Sequence, residues 1–498
     1  MKITTIIARL ADVILATSAL VCVLALSYFL YFYSWTASRQ FTGQSGPYLY
    51  YGAPALAAIL LFAALQLRRR HRINIALCLC SAGFSIYGVE FLATLWFNLP
   101  SAWLRETTAA SVKAATAQGI SFDPRSKSEV IADLRARGLE AVPSMFPAGL
   151  LKKQGDGTLT SSISYGGVEL LPFGSVSHRP TVVCNENGQY LVYTADEHGF
   201  NNPDFLWKAQ KSDVVALGDS FTQGWCVGPE NNFIDQVRKK HPAILNLGIE
   251  GNGPLMELAT LREYGRLFKP KVVLWFFYEG NDLADLDNER RSPLLSRYVK
   301  TGFSQGLMSR QAEIDSVLTE YIERFKGRNP LLVALEEAWE LATHPRRLPK
   351  GISGIIKLSE LRGRLGLVQG QLAAVPSESR IATDAQTPSI EPLMDLFFAI
   401  LSNARASVNE WGGELFFVYL PERERYITAG IPNPHRARVL NVVALTGLRL
   451  IDMHEVFKAQ PDPLDLFPFR IGGHYNDLGH SLVAEKVHRL ILRSEAGP

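Results

Sequence analysis

The sequence predicts an α/β protein: a doubly wound parallel sheet with a helical insert, preceded by three transmembrane helices. Three observations carry this. Long apolar runs crowd the first hundred residues. From Asp213 onward, short β-branched and apolar runs alternate with helix-period segments, the pattern of strands joined by crossover helices. Several of those strands end in Gly-, Asn- and Asp-rich turns, as strands do when they deliver polar groups to the edge of an open sheet.

The apolar runs are Val13 to Trp35 and Tyr48 to Leu67, both uncharged, and Ile73 to Phe97, whose one charge is Glu90. Each reaches the roughly 20 residues that cross a bilayer core. Buried core helices would be shorter and carry more charge. The first run also exceeds the roughly 7–15 residues of a signal-peptide core, and no Ala-x-Ala-like site follows. Lys2, Arg9 and the cluster Arg68-Arg69-Arg70-His71-Arg72 mark the cytoplasmic side, since basic residues in short loops stay inside. Three crossings place everything after about Leu99 outside a bacterial inner membrane. The net charge of +3 is exceeded by that arginine cluster, so the remainder is close to neutral and no nucleic-acid partner is expected.

The expected organisation is a membrane anchor over residues 1–98, an extracytoplasmic lead-in over 99–211, and the sheet domain over 212–498 with an insert at 285–391. The lead-in should hold a helix over Ser126 to Arg137, with Ser126 or Ser128 as cap. A hairpin should follow around the turn in Cys184-Asn185-Glu186-Asn187-Gly188-Gln189-Tyr190. Cys184 and Cys226 are the only cysteines of the external portion. An oxidising compartment would let them form a disulfide, although two independent core residues fit the sequence nearly as well.

In the sheet domain the expected strands are Val214–Leu217, Ile244–Leu247, Val272–Phe277, Leu415–Leu420 and Leu448–Ile451. Helices fall near Phe233–Lys240, Leu255–Leu267, Leu393–Trp411, His435–Leu445 and Leu478–Leu492. The insert reads as helices over Gln311–Phe325, Leu331–Ala342 and Ile355–Leu365. It is either a cap over a site or a layer that buries core.

Four stretches carry chemistry: Gly218-Asp219-Ser220, Gly248-Ile249-Glu250-Gly251-Asn252, Glu279-Gly280-Asn281-Asp282 and Gly473-His474-Tyr475-Asn476-Asp477. A serine hydroxyl becomes a useful nucleophile when a base takes its proton, and His474 is the base expected for Ser220. A tetrahedral intermediate needs donors at its oxyanion, and Ser220 N–H, Gly251 N–H and the Asn281 amide are the expected set. Asp219 and Asp282 are read as turn-holders. His480 is read as a packing residue, and Asp452-Met453-His454-Glu455 as a strand end and turn. No His-Glu-x-x-His, cysteine cluster or phosphate-binding loop is present, so no metal and no cofactor is expected.

These blocks resemble the SGNH, or GDSL-type, hydrolase superfamily, whose four signature positions match Ser220, Gly251, Asn281 and His474 in order. The resemblance spans Asp213–Leu283 and Glu391–Leu492. It implies a flavodoxin-like sheet and a serine esterase or O-acyltransferase. Such an enzyme would act outside the membrane on acyl esters of envelope glycans or lipid-linked saccharides. Family members usually carry an aspartate three residues before the histidine, and here Ile471 occupies that position. Either Ser220 and His474 work as a dyad with a main-chain carbonyl orienting the ring, or another acid serves, among them Asp462, Asp465, Glu250 and Glu279. The dyad is the expected arrangement, with Asp465 the supporting acid only if one is used. The departure leaves open an inactive envelope module that assists a membrane acyltransferase partner. A lipase acting at the membrane surface is a further alternative.

Overall fold

The computed structural model describes residues 2–35, 51–97, 100–209, 212–300, 302–325, 358, 390–427 and 433–495. The insert segments expected at Leu331–Ala342 and Ile355–Leu365 lie outside the described residues, apart from residue 358. The chain divides into two compact units, with the N-terminal boundary between Arg105 and Glu106.

The first unit holds α1 (Lys2–Trp35), α2 (Ala53–Ala64) and α3 (Arg69–Phe97). Two stretches, Thr5–Ser27 and Arg69–Ala93, are long and apolar enough to cross a membrane. Leu20 at 55% and Phe84 at 83% exposure show apolar side chains facing outward, which suits lipid better than water. The expected three spans become two among the described residues. The helix in the middle run has only 12 residues, about 18 Å at 1.5 Å per residue, short of a hydrocarbon core of about 30 Å.

The second unit begins with α4 (Pro100–Ala117), which straddles the boundary, and α5 (Lys127–Ala136). Ser126 opens α5 with a capping box: its hydroxyl accepts the Glu129 N–H at 3.3 Å, and the Glu129 carboxylate accepts the Ser126 N–H at 2.7 Å. A small three-stranded sheet follows, formed by β1 (Val142–Pro143), β2 (Pro180–Val182) and β3 (Val192–Thr194), with β2 and β3 antiparallel. This is the hairpin expected around Asn185–Gly188.

The main sheet comprises β4 (Val214–Leu217), β5 (Ile244–Asn246), β6 (Val272–Tyr278), β7 (Glu414–Leu420) and β8 (Arg449–Asp452). All pairings are parallel, in the order β8-β7-β6-β4-β5. This is the flavodoxin-like order, with its switch point where β4 lies between β5 and β6. Both faces are covered, so the strands read as continuous apolar runs rather than alternating ones. Every residue of β6, Val-Val-Leu-Trp-Phe-Phe-Tyr, is buried. Each such side chain contributes roughly 1.5–3 kcal/mol on leaving water.

Crossover helices complete the layers: α6 (Ser220–Gln223), α7 (Phe233–Arg238), α8 (Pro254–Glu263), α9 (Asp282–Glu289), α10 (Gln311–Phe325), α11 (Glu391–Glu410), α12 (Arg436–Thr446) and α13 (Asp477–Glu495). The lead-in and the sheet share one core. Phe173, Phe200 and Trp207 pack in the same cluster as Val215, Leu245 and Trp275. The lead-in from Glu106 therefore belongs to the same compact unit as the sheet, which comprises Glu106–Arg328 and Val375–Pro498.

Candidate functional site

The β4 strand runs directly into Gly218-Asp219-Ser220. Gly218 is required by close packing, because a Cβ there would meet the Thr222 hydroxyl at 2.2 Å. Asp219 accepts the Phe221 N–H at 2.9 Å and so starts α6. Ser220 becomes the first residue of a short helix at the carboxyl edge of the sheet.

The second block is stitched to the first. The β4–β5 pairing continues past the strands through Leu247 N–H to Ala216 O at 2.8 Å and Ile249 N–H to Gly218 O at 3.2 Å. The Asn246 amide donates to Thr222 O at 2.7 Å, and Gln223 Oε1 accepts the Glu250 N–H at 2.9 Å. These bonds draw the Gly251 turn toward Ser220. Gly251 sits at φ +70, a conformation that costs other residues about 1–2 kcal/mol.

The third block leaves β6 next door. Asp282 accepts the Tyr278 N–H at 2.8 Å across the turn. Asn281 occupies the N-cap position of α9 yet makes no capping hydrogen bond, and among the described residues its buried Oδ1 has no partner. Glu279 anchors this turn: its carboxylate accepts Arg425 Nε at 2.7 Å and the Glu422 N–H at 2.9 Å, and it also receives the Tyr419 hydroxyl and the Arg425 terminal nitrogen.

His474 lies on the loop before α13. Its Nε2 is 2.9 Å from Ser220 Oγ. Its ring packs against Phe221 and Trp225, with centroid separations of 4.7 and 4.5 Å. The partner on the far side of the ring is Glu186: Oε1 lies 2.9 Å from His474 Nδ1, and Oε2 accepts the His474 N–H at 3.1 Å. A carboxylate at Nδ1 fixes the tautomer that leaves Nε2 free to accept the serine proton. Gly472 allows the approach, since a Cβ there would stand 3.0 Å from Glu186 Oε2.

Burial disfavours the charged forms of both partners, but the pairing outweighs it. Glu186 is held below the usual carboxylate range by His474. The imidazolium form of His474 is favoured by Glu186, with Asp219 and Glu250 adding to it, so its pKa is raised. Burial pushes Asp219 up to about 6.

Asp465, the supporting acid expected from sequence, does not reach His474. Its side chain is 58% exposed and pairs with Arg470, which also holds Asp462 at 2.6 Å. Its main-chain carbonyl accepts from the Asn476 amide at 2.8 Å. The dyad expected from sequence is corrected as well: the Glu186 carboxylate, from the turn of the β2–β3 hairpin, stands at His474 Nδ1. Nothing local to His474 pointed there. The available signal was the cysteine pair: Cys184 and Cys226 are joined in a disulfide with Cα atoms 5.3 Å apart, which brings the turn after Cys184 beside the chain that follows Ser220.

Other singled-out residues have structural partners. His480 is fully buried, accepts the Phe233 N–H at 3.1 Å and is pushed down to about 3 by burial. Asp452 caps the turn at His454 and pairs with Arg436. Ligating atoms of Glu186, Cys226 and His474 lie within 4.8 Å of one another, but the Cys226 sulfur is already bonded to Cys184.

No family model and no curated protein matches the chain. Several solved structures resemble it at low identity. A lipase/acylhydrolase from Enterococcus faecalis is 15% identical with a TM-score of 0.28, over 56% of this chain and 95% of that one. An acetyl xylan esterase is 12% identical with a TM-score of 0.30, over 56% and 98%. A two-domain esterase active on acetylated mannans is 13% identical with a TM-score of 0.29, over 58% and 51%.

Proposed function

We propose that this chain is a serine ester hydrolase or O-acyltransferase that works through Ser220, His474 and Glu186. The observation that carries the reading is the continuous relay from Ser220 Oγ through both ring nitrogens of His474 to the Glu186 carboxylate. Ser220 Oγ attacks the acyl carbonyl as its proton passes to His474 Nε2, and Glu186 stabilises the resulting imidazolium. The oxyanion is received by Ser220 N–H, Gly251 N–H and the Asn281 side-chain amide. Collapse expels the alcohol, which takes the proton from His474, and leaves Ser220 acylated. Water or a sugar hydroxyl then accepts the acyl group, giving hydrolysis or transfer.

The inactive-module reading drew on Ile471 standing where an acid is expected. Glu186 at His474 removes that ground. The long apolar helices support a membrane-anchored enzyme. Acyl esters of envelope glycans or lipid-linked saccharides are the substrates proposed for such an enzyme.

The test is hydrolysis of p-nitrophenyl acetate and of an acetylated oligosaccharide, with and without an acceptor sugar, by wild type and Ser220→Ala. Acyl release or transfer that disappears in the variant supports the reading. Equal rates in both would remove it.

A further inference from the structure

The disulfide stands at the catalytic residues. Ligating atoms of Glu186 and His474 both lie within 4.8 Å of the Cys226 sulfur. The chain after Ser220 turns back at once: Trp225 N–H donates to Ser220 O at 2.9 Å, and Cys226 takes a left-handed backbone with φ +60. Cys184 ends the paired part of the hairpin, its carbonyl accepting the Leu191 N–H at 2.9 Å. Beyond it the turn leaves the ladder, and Glu186 is presented from that unpaired stretch. Ser220, Trp225, Cys226, Cys184, Glu186 and His474 thus form a closed ring of covalent and hydrogen bonds through nucleophile, base and acid.

We propose that the Cys184–Cys226 disulfide is a positioning element for catalysis, holding the Glu186 turn against His474 so that activity depends on the disulfide being intact. This rests on the reading of Glu186 as the acid of a serine ester hydrolase. The turn's other ties to its surroundings are hydrogen bonds rather than covalent links. The Asn187 amide donates to Cys226 O at 2.8 Å, the Asn185 amide to Asp123 O at 2.9 Å, and Gly188 O accepts the Asp123 N–H at 2.8 Å. They hold the turn near its place, whereas a hydrogen-bonded acid must keep its geometry to within about 0.5 Å.

Reduction by a dithiol breaks the S–S bond and forms two thiols, the dithiol closing to its own disulfide as it gives up two electrons and two protons. The cysteines are 8% and 1% exposed, so exchange is slow, and the variant Cys184→Ser gives the same opened ring directly. The experiment compares ester hydrolysis and the rate of fluorophosphonate labelling in wild type, Cys184→Ser, Glu186→Gln and the double variant, with folding checked by circular dichroism at the assay temperature. Opening the disulfide should lower kcat by about tenfold or more with KM little changed, because binding is retained while the base loses its support. In the Glu186→Gln background the same opening should cost less than about twofold, since both changes remove one interaction.

An equal fold-loss in both backgrounds, no loss in wild type, or a chain that no longer folds without the bond would each overturn the proposal by making the disulfide structural only. Activity surviving in Ser220→Ala would instead strike the underlying reading, so the two failures are distinguishable.

Discussion

Glu186 Oε1 lies 2.9 Å from His474 Nδ1, although 288 residues separate them in the chain. The acid comes from a hairpin turn ahead of the sheet, not from the histidine's own loop. Glu186→Gln should therefore act like loss of a triad carboxylate, lowering kcat by roughly 10²–10⁴ while leaving the fold intact. Steady-state kinetics on a simple ester checks this.

The same pair sets a pH dependence. His474 must be neutral at Nε2 to accept the serine proton, so activity rises as pH rises through its pKa. Glu186 raises that pKa by favouring the imidazolium. Removing the carboxylate should shift the acidic limb of kcat/KM to lower pH, even as the plateau falls. A limb that stays in place or moves upward would contradict the assignment.

Asn281 stands at the N-cap of α9 without capping it, and its side-chain amide is the donor proposed for the oxyanion. If that amide meets the oxyanion, Asn281→Ala should cost about 10²–10³ in kcat with a smaller effect on KM. A change confined to KM would argue that Asn281 binds ground-state substrate instead.

Gly251→Ala separates backbone conformation from space. The nearest atom to an added Cβ is Ala148 Cβ at 3.4 Å, an ordinary contact, while φ +70 makes any side chain unfavourable by about 1–2 kcal/mol. The expected result is a melting temperature lowered by a few degrees and a larger proportional loss of kcat, as the N–H direction changes. Unaltered kcat with the same thermal loss would remove Gly251 from the oxyanion set.

Arg425 and Glu279 form a buried pair, their side chains 9% and 1% exposed. Arg425→Ala leaves the Glu279 charge unpaired and should destabilise by roughly 3–5 kcal/mol. Adding Glu279→Gln should recover part of the loss, measured by urea unfolding of both variants.

Much of this was legible in the sequence because it is local. The runs from Val214 and Val272 are too uniformly apolar for anything but buried parallel strands, and the Gly- and Asn-rich turns that follow them fall at the sheet's carboxyl edge. Ser220 and His474 meet as the topology requires. The acid was not legible, because Glu186 reaches His474 through tertiary contact between the lead-in and the sheet. Periodicity carries no record of such contact. Asp465 looked available from its proximity in sequence, yet Arg470 holds it at the surface. The middle apolar run shows the opposite error: composition over Tyr48 to Leu67 suggested a full span, while the helix described there is Ala53–Ala64.

The most direct test of the central claim is fluorophosphonate labelling of the purified protein, followed by peptide mapping of the adduct in wild type, Glu186→Gln and Ser220→Ala. The relay predicts one adduct on Ser220, formed much more slowly in Glu186→Gln and absent in Ser220→Ala. Labelling of Glu186→Gln at the wild-type rate, or an adduct that persists without the serine, would contradict it.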